Sequence, residues 1–127
     1  MDYIAHKREC DGEKQSVQTH LLEASEFSGR SAAKIDSSQV GALIGLLHDF
    51  GKYSQTFQNY IKSATRELSP DEGDYVDAKG LKGKIDHSTA GAQWIFRQLG
   101  MLVQQHCADK TSNDAQLALA GVQAMAL

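Results

Sequence analysis

Cysteine is scarce in this chain. Cys10 and Cys107 are too few and too far apart for a disulfide framework or a thiolate zinc site, and a reduced, intracellular, cytoplasmic setting is expected. Excess positive charge is also missing: a formal net charge of −3 excludes the broad basic footprint of a protein that holds nucleic acid by surface electrostatics. No basic-then-apolar leader opens the sequence. Its longest weakly polar stretch, Ala115 to Leu127, is shorter than the ~18 apolar residues of a membrane span and contains Gln116 and Gln123. Secretion and membrane insertion are therefore not expected. No strand pattern of useful length and no internal repeat appears.

The 127 residues are ordinary in apolar and charged content. They suit one domain, residues 1–127, able to bury roughly two thirds of the surface of the unfolded chain. Residues 1–13 lack periodicity and end in the turn-like Asp11-Gly12. From about Lys14 the spacing of Val17, Leu21 and Ala24 predicts a helix carrying His20 at the border of its apolar face, interrupted by Ser28-Gly29-Arg30-Ser31. Ser37 and Ser38 are candidate N-caps for a second helix with Val40, Leu43, Ile44 and Leu47 on its apolar face. That helix carries His48 and Asp49 in its last turn, with Gly51 in the left-handed stop position. A third helix, about Ser54 to Ala64, presents Phe57, Tyr60 and Ile61 to the core. Residues 65–84, with the only proline, Pro70, form a long loop that is acidic first and then carries Lys79, Lys82 and Lys84. Asp86 is expected to cap a fourth helix reaching about Gln105 and burying Ala90, Trp94 and Leu102. A last helix through Leu117, Leu119, Ala120, Val122 and Met125 would leave an apolar face available for self-association. The fold class is all-α, a helical bundle.

The pair His48-Asp49 is the strongest chemical signal. An imidazole and a carboxylate at the end of an apolar helix cost a few kcal/mol to bury without partners, and a bound cation partners both. A helix-end role accounts for His48, whose partial charge suits the C-terminal dipole, but leaves Asp49 unfavourably placed. His20, His48 and His87 sit on three different predicted helices, and a bundle can bring one side chain from each to a shared point. Imidazoles with a carboxylate suit manganese, iron, nickel, cobalt or zinc better than magnesium. Lys52 reads either as a solvated turn lysine or as a cation stabilising charge on a phosphoryl group. Asp86 and Ser88 either cap the helix after His87 or orient its ring. His6 and His106 lack such a context and are expected to be non-ligands, Cys107 a small helix residue, and Trp94 with the Phe57/Tyr60 pair part of the core.

The ordered set His20, Leu-Leu-His48-Asp49-Phe-Gly-Lys52-Tyr-Ser, Phe57-Gln58-Asn59-Tyr60 and Asp86-His87-Ser-Thr-Ala-Gly-Ala resembles the HD superfamily of metal-dependent phosphohydrolases. Within it, the chain is most similar to the HD nuclease domain of the type I CRISPR nuclease-helicase, and Ala5-His6, Asp11-Gly12 and Gln15 also fit that domain's beginning. The resemblance implies one or two transition-metal ions (Mn, Fe, Ni or Co) and cleavage of single-stranded DNA in antiviral defence. It further implies a CRISPR helicase domain or subunit and an RNA-guided surveillance complex as partners. By analogy, His20, His48 and Asp49 hold the first metal, Asp49 bridges to a second that His87 also holds, and Lys52 grips the scissile phosphate. Family members continue with a His-His pair and a further Asp, neither of which is present here. The bundle is therefore expected to be incomplete at its C-terminal side, with weakened metal affinity and little or no cutting by this chain alone. Lys79, Lys82 and Lys84 are candidate DNA contacts. Two alternatives share these residues: an HD phosphohydrolase of a nucleotide or cyclic dinucleotide, and a non-catalytic helical module that binds a protein.

Overall fold

The computed structural model describes residues 3–106 and 116. It is helical with one small sheet, in keeping with the expected class apart from a β-hairpin at the start. Strand β1 (Ile4–Lys7) pairs antiparallel with β2 (Lys14–Ser16). The tip closes through Gly12 N–H to the Arg8 carbonyl at 2.9 Å, with Gly12 at a φ of 74°. Segments of four and three residues are too short to show alternation. Asp11-Gly12 was the one local sign of a hairpin.

Helix α1 (Val17–Ala32) begins after Ser16, whose hydroxyl accepts the Thr19 N–H at 3.0 Å. It runs on through Ser28–Ser31, where a break was expected. Gly29 is buried there, so the small residues mark a packing face rather than a helix end. Helix α2 (Ser38–Leu47) returns antiparallel along α1, and its packed face also differs from the periodicity reading. Gly41 and Gly45 are buried, while Val40 and Ile44 are exposed. A methyl group on Gly45 would overlap the Ala24 carbonyl, so the two backbones touch where aliphatic side chains were expected. Ser25 Oγ donates to the Ala42 carbonyl across the same seam at 2.8 Å.

Helix α2 stops at Leu47, with His48 as its C-cap and a 3₁₀ turn over Phe50–Tyr53. Gly51 is not left-handed as expected; it lies buried, and its N–H donates to the His87 carbonyl at 2.9 Å. Helix α3 (Gln55–Ala64) starts on the Ser54 cap and buries Phe57, with Tyr60 half-buried beside it. The long segment that follows contains the single-turn helix α4 (Ala78–Leu81).

Helix α5 (Thr89–His106) turns Gly91 and Ile95 inward and leaves Ala90, Trp94 and Leu102 exposed, correcting the expected core there. The reason is again a close approach: any Cβ on Gly91 would collide with the Leu47 carbonyl, which fixes the rotation of α5 against the end of α2. The core gathers Ala5, Val17 and Leu21, flanked by Tyr3, Leu46 and Tyr53. Among the described residues no helix is long and apolar enough to cross a membrane. The expected last helix, with its self-association face, and Cys107 lie outside the described residues.

Glu67 ties the segment after α3 to the hairpin through Lys7 at 3.1 Å and Lys14 at 2.7 Å. Burial pushes its carboxyl up, but the hydrogen bonds from Lys14 and Lys7 outweigh this and hold it below its ordinary 4.5. Because the folded value is depressed, this contribution is complete above the unfolded value and is lost as pH falls through the folded one. Glu67→Gln should therefore flatten the loss of stability between about pH 5 and pH 3 in denaturant melts, at a cost near neutrality of up to about 1 kcal/mol. Parallel acid profiles for the two proteins would contradict the clamp.

Two glycines of α5 should respond oppositely to the same change. Gly91→Ala forces backbone apart and should cost about 1–3 kcal/mol or more. Gly100→Ala meets nothing within 4 Å and should gain about 0.5–1 kcal/mol from helix propensity. Equal melts for the two variants would contradict the docking of α5 on α2.

Candidate metal centre

The first part of α1, the end of α2, the 3₁₀ turn after it and the approach to α5 deliver the site. His20 projects from the second turn of α1, between the buried Val17 and Leu21. His48 caps α2, Asp49 follows it, Lys52 sits in the 3₁₀ turn, and His87 lies two residues before α5. Asp49 Oδ2 faces His20 Nε2 at 3.1 Å, His48 Nε2 at 3.3 Å and Lys52 Nζ at 2.9 Å. Its other oxygen, Oδ1, faces His87 Nε2 at 3.8 Å. One ligand atom each from His20, His48 and Asp49 lie within 4.8 Å of one another. The four residues expected to act together are thus brought together, with one carboxylate oxygen turned toward each side.

Backbone carbonyls orient two of the rings. His48 Nδ1 lies 2.7 Å from the Gly45 carbonyl, and His87 Nδ1 lies 2.9 Å from the Ile85 carbonyl. A carbonyl only accepts, so each Nδ1 carries a proton, and in the neutral ring this leaves the lone pair on Nε2, on the side of Asp49. This is the arrangement by which metal-binding histidines are aimed. Asp86 and Ser88 have a different part from ring orientation. Asp86 Oδ1 accepts the N–H groups of Ser88 and Thr89 at 3.2 and 3.0 Å and so starts α5. The Ile85 carbonyl holds the ring instead.

Lys52 is not a solvated turn lysine: it is 3 % exposed. Its ammonium lies 2.9 Å from His6 Nε2, 3.5 Å from His20 Nε2 and 5.7 Å from the centre of the Phe57 ring. Burial pushes the Asp49 carboxyl up, but hydrogen bonds from Lys52 and His20 win and hold it below the usual range. For His6, burial first and then the Lys52 charge lower its pKa, against the smaller opposing effect of the Asp49 charge. His6 belongs to the site although it was expected to stand apart. Its ring centre is 4.8 Å from that of His20. Only the hairpin makes that possible, and the three-residue β2 gave no periodic sign of it.

Lys79, Lys82 and Lys84 are exposed on α4 and the segment after it, and among the described residues they make no contact with this cluster. An open groove of about 560 Å³ runs from His6 along the hairpin, past Lys7, Arg8, Lys14 and Thr19. Its cations are already paired, Lys7 and Lys14 with Glu67 and Arg8 with Asp11 and Glu13.

The donor set, two imidazoles with aimed Nε2 atoms, a third held by Asp49 and a carboxylate with divided oxygens, fits a divalent transition metal. A family model described as "Cas3, HD domain" matches residues 13–126. No curated protein and no solved structure gives a match. The matched span takes in α1 to α5 and therefore His20, His48, Asp49, Lys52 and His87, while His6 precedes it. With the helical fold and the histidine–aspartate cluster both in place, the chain belongs to the Cas3 HD-domain family, HD-superfamily domains of the nuclease-helicase type found in CRISPR systems.

Proposed function

We propose that this domain hydrolyses phosphodiester bonds of single-stranded DNA in CRISPR interference, using divalent metal held by His20, His48, Asp49 and His87. The division of the Asp49 carboxylate carries the reading, because Oδ2 faces His20 and His48 while Oδ1 faces His87. That disposition suits a carboxylate shared between two neighbouring cations. Bound there, a transition metal supplies Lewis acidity, making water nucleophilic near neutral pH and neutralising charge on phosphate.

The chain's own groups do the rest. Lys52 Nζ, 2.9 Å from Asp49 Oδ2, places a fixed positive charge among the ligand atoms, where it can hold a non-bridging phosphate oxygen. Being buried, it needs little reorganisation as charge develops. Lys52 and Asp49 form the base of the site, and the more exposed His48 and His87 form its mouth. Substrate thus enters past the two imidazoles. The paired cations of the hairpin groove leave phosphate recognition chiefly to this centre, with Lys79, Lys82 and Lys84 as outlying contacts to a longer strand. A helicase domain or subunit and an RNA-guided surveillance complex would supply that strand in the cytoplasm.

His20, His48 and Asp49 give three donors on the Oδ2 side, but among the described residues only Asp49 and His87 serve the Oδ1 side, fewer than the three protein ligands usual for a catalytic metal. Weak metal affinity and slow cutting are the consequence for this chain. Calorimetric titration with Mn²⁺ should show binding that Asp49→Ala weakens by more than the roughly 10–100-fold typical of losing a supporting group. Slow, Mn²⁺-dependent cutting of a single-stranded oligonucleotide should vanish in the same variant. Cutting that persists in Asp49→Ala would remove the proposal. Suppression of DNA cutting by a cyclic dinucleotide that is itself hydrolysed faster would transfer the site to the nucleotide reading. No Mn²⁺ binding at all would favour the non-catalytic module.

A further inference from the structure

We propose that His6, on the hairpin and outside the family match, is a positioning residue for Lys52: its Nε2 accepts a hydrogen bond that holds the buried ammonium beside Asp49. The consequence for catalysis rests on the reading that Lys52 grips phosphate.

The observation behind it is a count of acceptors. An ammonium as buried as that of Lys52 is costly unless its protons meet acceptors. Three side-chain atoms are in reach: Asp49 Oδ2 at 2.9 Å, His6 Nε2 at 2.9 Å and His20 Nε2 at 3.5 Å. The third is already committed. His20 Nε2 lies 3.1 Å from Asp49 Oδ2, and a carboxylate oxygen only accepts, so His20 Nε2 carries a proton and cannot accept from Lys52. His6 is left as the one imidazole whose lone pair meets the ammonium.

The backbone around both ends is built to fix that contact. The register of the hairpin slips between Ile4 and His6, placing both Ile4 and Ala5 in the core and leaving His6 on the side of the cluster. Gln58 then joins the two partners through one buried amide. Its Oε1 accepts the Ile4 N–H at 2.9 Å, and its Nε2 donates to the Ile4 carbonyl at 3.0 Å and the Lys52 carbonyl at 2.7 Å. A side chain 2 % exposed therefore ties the strand carrying His6 to the backbone of Lys52. Neither end can drift without breaking a buried hydrogen bond.

The test compares His6→Leu, which fills space without an acceptor, with His6→Gln, which keeps one. The full-length, metal-free chain is treated briefly with a water-soluble acylating reagent, and modification of Lys52 is read by mass spectrometry. Hydrogen bonds to charged groups are worth enough that His6→Leu should raise Lys52 labelling about tenfold or more, and His6→Gln should return it close to the unmodified protein. Equal labelling in His6→Leu and the unmodified protein would overturn the proposal. If His6→Leu fails to fold, ¹⁵N spectra of the unmodified chain decide: an unprotonated His6 Nε2 supports the hydrogen bond, and a protonated one overturns it. The two levels separate in a Mn²⁺-loaded filter-binding assay with a single-stranded oligonucleotide. A parallel loss of DNA affinity in His6→Leu supports both. A rise in labelling with DNA affinity unchanged keeps His6 as the positioner of Lys52 and removes Lys52 from the phosphate grip.

Discussion

The carboxylate of Asp49 is the group on which the rest of the site depends. An isolated carboxylate removed from water costs several kcal/mol, yet this one keeps its charge, because Lys52 and His20 hydrogen-bond to it and His48 stands close by. The bonds that stabilise the ion also specify its direction. One oxygen is drawn toward α1 and the end of α2, and the other is left toward His87 ahead of α5. Lys52 serves the metal-free site as an internal counter-cation, and a bound cation would share that task.

Such convergence requires backbones to come closer than ordinary side chains permit. At Gly45 the second helix lies directly on the Ala24 carbonyl, and at Gly91 the fifth lies on the Leu47 carbonyl. These contacts set where His20 stands relative to Asp49 and where α5 begins relative to His48. The Gly51 N–H to the His87 carbonyl completes the frame from the other side. Packing and chemistry are therefore one problem here, since the same close approaches that bury little apolar surface bring the imidazoles within reach.

Much of this was legible in the residues themselves. Helix α3 and the start of α5 carry local caps, Ser54 and Asp86, that need no knowledge of the fold. His48-Asp49 stood out because the pair is costly without a partner. What stayed hidden was non-local. The inward face of α2 combines Gly41 and Gly45 with Leu47, so a search for aliphatic spacing found Leu47 but also chose the exposed Val40 and Ile44. Trp94 faces outward because Gly91 sets the rotation of its helix, which hydrophobicity alone does not reveal. His6 reaches the site only through a two-strand pairing and the buried amide of Gln58, 54 residues away from Ile4. Identical chemistry with a different turn at Asp11-Gly12 would lose the strand pairing that places it there.

The fold, the family match on residues 13–126 and the aimed imidazoles are the supports of the proposed metal-dependent chemistry. Anomalous diffraction from crystals soaked in Mn²⁺ tests the centre of this account most directly. A peak roughly 2.0–2.3 Å from Nε2 of His20, Nε2 of His48 and Oδ2 of Asp49 is the predicted result. Saturating Mn²⁺ that leaves this point empty, or that binds only at surface carboxylates, would contradict it.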